Sequence, residues 1–192
     1  MERAELGSAL REHAYLEGDF VLRSGRRSRY YLDKYRFETR PDVLGPLGEL
    51  IAGTVAEHEP GATRLAGPEL GAVALAAAAS LASGLPFLIV RKEAKDHGTA
   101  NRLEGVFEPG ERVCLVEDVV TSAGAAIEAV EALRGAGLEV GTAVCVVDRE
   151  EGGADALARI AVRLRPLFRA SELLEAPKSA ANRMVEPKGE AC

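Results

Sequence analysis

What this chain of 192 residues lacks narrows its class before any motif is considered. No segment approaches the ~20 consecutive apolar residues of a membrane span, and no basic start followed by an apolar run opens the chain. Neither a transmembrane helix nor a secretory signal is therefore expected, and the expected location is cytoplasmic. Cysteine is scarce. Cys114 and Cys145 fall inside apolar, strand-like runs and Cys192 is the last residue, a spacing that suits neither a zinc site nor a disulfide framework and reads as buried thiols. Positive charge is the minority sign: 24 Lys and Arg against 30 Asp and Glu leave a net charge of −6. That balance argues against nucleic acid as the main partner, while local basic patches can still hold a phosphorylated small molecule. There is no internal repeat and no helix-turn-helix extension.

With 47% hydrophobic and 28% charged residues the chain reads as soluble and globular. Its length buries one domain well and is too short for two, so a single domain over residues 1–176 is expected, followed by a polar tail over 177–192. Apolar periodicity alternates between strand and helix. Helices are expected over Glu2–Leu16, Pro41–Glu57, Ala72–Ala82 and Ala125–Arg134, with a last helical turn over Ser171–Glu175. Strands are expected at Thr63–Ala66, Pro86–Val90, Val113–Val116 and Val140–Val147, with an edge strand at Ile160–Leu164 and a β-prone pair over Phe20–Leu32 turning at Ser24-Gly25. The alternation predicts an α/β fold with a mainly parallel sheet flanked by helices.

The chain is organised around the stretch Val113–Ala126. An apolar strand ends in Glu117 and Asp118, passes through Val119, Val120, Thr121, Ser122, Ala123, Gly124 and Ala125, and becomes a helix. At such a junction loop and helix N–H groups converge on one point, which suits a phosphate. Thr121 and Ser122 add hydroxyl donors, and the three small residues let the backbone approach an anion closely. A carboxylate stranded beside an apolar strand costs several kcal/mol, so the two acids call for a basic side chain or a polyhydroxylated, metal-bearing ligand. The same residues also read as a helix N-cap cluster with solvated acids. The Lys-Ser/Thr ending of a nucleoside triphosphatase phosphate loop is missing.

Two basic stretches interrupt the acidic background: Arg23, Arg26, Arg27 and Arg29 in the β-prone pair, and Arg91-Lys92-Glu93-Ala94-Lys95-Asp96-His97-Gly98 after the Pro86–Val90 strand. Composition alone makes the first a solvated turn and the second a solvated loop. Asp148-Arg149, at the end of Val140–Val147, reads as a strand-end ion pair.

These stretches carry a family resemblance. Glu117 to Ala125 resembles the phosphoribosyl diphosphate (PRPP) motif of phosphoribosyltransferases, and Arg91 to Gly98 resembles the catalytic loop of the orotate phosphoribosyltransferases. Gly18 to Tyr31, with Asp33-Lys34-Tyr35 and Phe37-Glu38-Thr39-Arg40-Pro41, resembles the amino-terminal hood of the same enzymes, placed here over about residues 1–40. The resemblance implies a pentosyltransferase that joins orotate to PRPP, giving orotidine 5′-monophosphate and pyrophosphate in pyrimidine biosynthesis. It implies Mg²⁺, bound mainly through PRPP and water and not by protein ligands, and a homodimer with shared active sites. Lys95, His97 and Asp118 are then the catalytic residues. PRPP falls to Arg91, Lys92, Lys95, His97, Glu117, Asp118 and Val119 to Ala125, and orotate to Thr121, Arg149, Arg23 and Tyr31. Three positions depart from the family pattern: Arg23 stands for a lysine, the aromatic pair over the base becomes Tyr31 and Leu32, and Leu70 stands where many relatives carry a lysine that touches pyrophosphate. A phosphoribosyltransferase for another base would lack the Lys95-Asp96-His97-Gly98 loop, and a PRPP-sensing regulator would usually add a DNA-binding module.

Overall fold

The computed structural model describes residues 1–21, 27–92 and 102–175. Helix α1 (Arg3–Ala14) is opened by a reciprocal cap, the Glu5 carboxylate accepting the Glu2 backbone N–H at 3.0 Å, and it buries Leu6, Leu10 and Ala14. It stops short of Leu16 because Tyr15 and Leu16 pair with Leu32 and Tyr31, opening the antiparallel pair β1 (Tyr15–Val21) and β2 (Arg27–Leu32). This two-stranded hood is separate from the main sheet. The Asp33 N–H closes its base by donating to the Ala14 carbonyl at 2.8 Å. The turn expected at Ser24-Gly25 lies outside the described residues.

After the short helix α2 (Tyr35–Glu38) come α3 (Pro41–His58), β3 (Arg64–Pro68), α4 (Gly71–Ser83), β4 (Phe87–Val90) and β5 (Leu103–Glu104). The chain continues through β6 (Arg112–Val120), α5 (Gly124–Gly135), β7 (Glu139–Asp148), α6 (Gly153–Arg159), β8 (Arg163–Arg169) and α7 (Ala170–Glu175). The six strands from β3 onward form one sheet in the order β5-β4-β3-β6-β7-β8, parallel except where β5 meets β4. This is the expected α/β sheet flanked by helices.

β6 lies inside the sheet, and its residues alternate between two cores. Cys114 and Val116 join Leu6, Leu47, Ile51 and Leu75 beneath α1, α3 and α4. Val113 and Leu115 join Val130, Leu133 and Leu157 beneath α5 and α6. An unbroken apolar run suits a strand covered on both faces, and each enclosed Leu or Val contributes about 1.5–3 kcal/mol. Cys114 and Cys145 are buried free thiols, as their contexts predict. Among the described residues no helix is long and apolar enough to cross a membrane.

Arg3 braces α1 against the far edge of the sheet. Its guanidinium donates to the Leu167 carbonyl at 2.7 and 3.1 Å and to Glu172 at 2.9 Å, and lies 4.7 Å over the Phe168 ring, while Arg11 donates to the Leu174 carbonyl at 2.9 Å.

Several boundaries depart from expectation. β6 does not end at Val116 but continues to Val120, because β7 keeps pace beside it and pairs Glu117 with Cys145 and Val120 with Asp148. The edge strand begins at Arg163, since Ile160 caps α6 and Ala161 takes a left-handed φ of 57°. β8 pairs only with β7, so Pro166 is tolerated in it. The elements α2, β5 and α6 are too short to announce themselves by periodicity.

Helices α3 and α4 touch most closely at Gly48, where an added Cβ would lie 2.7 Å from the Ala78 backbone carbon. Gly48→Ala is expected to destabilise the protein by about 1–3 kcal/mol. Gly53→Ala, on the same helix with open space around it, should be neutral or stabilising by up to about 1 kcal/mol. Urea denaturation of the two variants measures the difference.

Candidate active site

The carboxyl ends of the parallel strands, the edge at which open α/β sheets take ligands, carry most of the residues singled out from the sequence. Glu117 and Asp118 lie on β6 and are only 6% and 5% exposed. The partner that buried acids require is Lys34, at the junction of β2 and α2, whose ammonium stands 2.5 Å from Asp118 Oδ2. The other oxygen, Oδ1, accepts the Val119 N–H at 2.5 Å. Burial works against the Lys34 charge, but the Asp118 carboxylate, by its charge and hydrogen bond, together with Glu38 and Tyr35 raises the ammonium above its usual range.

A third acid joins from the hood side. Glu38 is 4% exposed, and its buried Oε1 has no hydrogen-bond partner among the described residues. Burial first, then the Asp118 charge, push the Glu38 carboxyl up to about 8. The same two causes push Glu117 up to about 8. Burial thus favours the protonated form of both Glu38 and Glu117 beside the Lys34–Asp118 contact. Gly71, the first residue of α4, completes the enclosure, because a Cβ there would collide with both the Asp118 carboxylate and the Lys34 ammonium.

Beyond Val120 the chain turns through Thr121 and Ser122 into Ala123, which adopts φ 66° and ψ 16° and caps α5 without a side-chain acceptor. A left-handed alanine costs roughly 1–2 kcal/mol, and the turn it makes leaves the first N–H groups of α5 without a side-chain partner at the cap. Gly124 and Ala125 are exposed beside it. Gly153, at the start of α6, packs so tightly under Val120 and the Thr121 carbonyl that a Cβ would clash with both.

One strand further on, Arg149 follows β7. Its nearly enclosed side chain places Nε 3.1 Å from the Glu151 carboxylate and its guanidinium 5.0 Å over the Tyr30 ring. The neighbouring Asp148 instead accepts the Glu150 N–H at 2.9 Å. Tyr31, the expected hood aromatic, points to the other side of β2, with its ring 5.6 Å from that of Phe20. Tyr30, Lys34 and Glu38 lie inside the stretches that resemble the hood, but the resemblance gave none of them a role. The one available signal was the need of Glu117 and Asp118 for a counter-charge, which named no residue.

On the opposite side, β4 delivers Arg91 and Lys92. The Arg91 side chain lies 3.9 Å from Glu69 and 3.5 Å from Glu104, and the Lys92 N–H donates to Glu69 at 2.8 Å. The Arg91 N–H meets the Arg102 carbonyl at 2.7 Å, and Arg102 Nε returns to the Arg91 carbonyl at 3.1 Å, so the two stems of the loop are tied together. Lys95, His97 and Arg23 lie outside the described residues. Leu70 is 70% exposed in the β3–α4 turn.

Glu38 and Glu117 hold their protons to about 8, against an ordinary value of 4.5. Between those values the folded state binds more protons than the unfolded one, so the stability they contribute is present at low pH and lost as pH rises through about 8. The melting temperature of the ligand-free protein should therefore carry a downward component between ~pH 5.5 and ~pH 8.5, and Glu38→Gln should make that slope shallower. An unaltered slope in the variant counts against the raised carboxyl.

The chain is similar to known proteins in sequence and in fold. The family model described as a phosphoribosyl transferase domain matches residues 44–162. The orotate phosphoribosyltransferase of Methanocella arvoryzae is 52% identical over 82% of this chain and 88% of its own. The crystal structure of orotate phosphoribosyltransferase from Aeropyrum pernix superposes with a TM-score of 0.80 at 36% identity, covering 88% of this chain and 96% of that one. That of the Mycobacterium tuberculosis enzyme in complex with PRPP gives a TM-score of 0.75 at 31% identity, over 89% and 98% of the two chains. With this fold, this strand end and these relatives, the chain belongs to the phosphoribosyltransferases and, within them, to the orotate phosphoribosyltransferase family.

Proposed function

We propose that the chain transfers the phosphoribosyl group of PRPP to orotate, forming orotidine 5′-monophosphate and pyrophosphate, through the roles assigned below. The observation that carries this reading is the buried Glu117–Asp118 pair immediately before an uncapped, small-residue turn, with Arg149 and an aromatic ring at the end of the next strand. Asp118 and Glu117 take the ribose hydroxyls. The backbone and hydroxyls from Val119 to Ala125 take the 5′-phosphate at the start of α5. Arg149 and Thr121 orient orotate, with Arg23 from the hood and with Tyr30, over Arg149, in the place expected of Tyr31. Arg91, Lys92, Lys95 and His97 meet the pyrophosphate.

As the anomeric carbon loses pyrophosphate it becomes oxocarbenium-like, so the work of the chain is to hold the sugar rigidly and to place cations where negative charge grows. The donors at the ends of β6 and its turn are oxygens throughout (Glu117, Asp118, Thr121, Ser122), the class that suits Mg²⁺. Mg²⁺, held by PRPP oxygens and water beside these groups, would neutralise the leaving pyrophosphate. We place the enzyme in the cytoplasm, as one phosphoribosyltransferase domain over residues 1–176 with its hood over 1–40.

Orotate absorbance is expected to fall when PRPP and Mg²⁺ are supplied, with no turnover of uracil, hypoxanthine or adenine. Asp118→Asn should keep the fold and lower kcat/KM for PRPP roughly ten- to a hundred-fold, because an amide accepts hydroxyls more weakly than a carboxylate. Turnover of a purine without orotate, or an unchanged Asp118→Asn, would overturn these assignments.

The enzyme further acts as a homodimer in which each catalytic loop serves its neighbour's pocket. Mixing Lys95→Ala with Asp118→Asn and allowing subunits to exchange should restore activity to about a quarter of sites, since half the dimers are mixed and each mixed dimer then has one site free of both lesions. No recovery, with exchange verified by mass-tagged subunits, would remove the shared site.

A further inference from the structure

We propose that Lys34 is the positioning residue of the ribose-binding acid: its ammonium fixes the orientation of the Asp118 carboxylate and supplies the counter-charge that lets a carboxylate stand in this enclosed cluster. The inference rests on the assignment of Asp118 to the ribose hydroxyls.

Lys34 comes from a different part of the chain, 84 residues before Asp118, where it begins α2 at the foot of the hood. Its ammonium holds Oδ2 at 2.5 Å while the Val119 N–H holds Oδ1 at 2.5 Å, so donors on both oxygens define the carboxylate plane. Glu38 also hydrogen-bonds this carboxylate, so of its about four lone-pair sites one stays open to a hydroxyl of the substrate. The third side is closed by Gly71, which admits no Cβ beside the pair. The lysine itself is steadied over the Tyr35 ring, 5.3 Å from its centroid.

The groups around this pair are nearly all acidic. Glu38 and Asp33 face it from the hood side and Glu117 from β6, with Asp148 and the Cys145 thiol further off on β7. Helix α4 brings no charged residue at all. Among these groups Lys34 is the cation. Without it, Asp118 would be a buried carboxylate among buried carboxyls, an environment that favours its protonated, hydroxyl-donating form. Ribose hydroxyls need an acceptor there, so the loss of Lys34 should act on PRPP through Asp118.

The test compares Lys34→Gln, Lys34→Arg, the double variant Lys34→Gln/Glu38→Gln and Asp118→Asn in the full chain, by steady-state kinetics across pH and by direct PRPP titration. For Lys34→Gln, kcat/KM for PRPP is expected to fall roughly ten- to a hundred-fold at neutral pH with the KM for orotate little moved. Its acid limb should shift to higher pH, so that part of the loss is recovered in alkaline buffer. Lys34→Arg should keep the limb near its wild-type position. The double variant, which replaces a carboxyl that holds its proton to about 8 by a neutral amide, should keep the shifted acid limb of Lys34→Gln.

If Asp118→Asn weakens PRPP while Lys34→Gln leaves both the PRPP KM and the acid limb unmoved, the positioning role is overturned. Equal losses in Lys34→Arg and Lys34→Gln, with no limb shift in either, also overturn it. Should Lys34→Gln not fold, the double variant is read in its place, and a wild-type acid limb there overturns the proposal. If Asp118→Asn itself leaves PRPP affinity intact, the ribose assignment falls and this inference with it.

Discussion

A carboxylate can stand at the end of a strand covered on both faces only if an opposite charge is brought to it, and much of the architecture around β6 answers that requirement. The acids stand there because β6 runs on beside β7 past its apolar stretch, through Glu117 and Asp118 to Val120. The cation reaches them from the hood, which folds back so that Lys34 meets Asp118. The first residue of α4 must then be a glycine, because the ion pair occupies the space its side chain would take. Hood, central strand and the β3–α4 turn are thus joined through one contact.

That contact also bears on the departure at Leu70. The exposed leucine brings no charge to the β3–α4 turn, yet the Lys34 ammonium lies within 2.5 Å of the position a Gly71 Cβ would occupy. A cation therefore borders this turn although the turn does not encode one. On the other flank the turn is tied to the end of β4, because Glu69 accepts the Lys92 N–H and faces Arg91.

The parts of the site that were legible in the sequence are those whose chemistry is contiguous. Glu117 to Ala125 reads as acid pair, turn and helix start because all three lie within nine positions of one another, and the strand–helix alternation gave the sheet. What was not legible depends on long-range placement. Lys34 and Glu38 meet Asp118 across some eighty residues of chain, and no local pattern marks either as a partner. The choice between Tyr30 and Tyr31 is one of phase: adjacent residues on a strand face opposite ways, and only the pairing of β1 with β2 decides which ring turns toward Arg149. The strand after α6 was placed too early for a similar reason, since apolarity marks Ile160 while the left-handed Ala161 decides where the backbone can begin to pair.

The hood is anchored at two feet. At its first foot β1 grows directly out of α1, which Arg3 and Arg11 lash to β8 and α7; at its second, β2 runs into Lys34 and the central strand. A ribbon pinned at one end sweeps freely, whereas one pinned at both can only rock about the line joining its supports. Tyr30 and Arg149 then meet like the jaws of a vice whose frame is the sheet itself, and how far they can part is set by the stiffness of that frame.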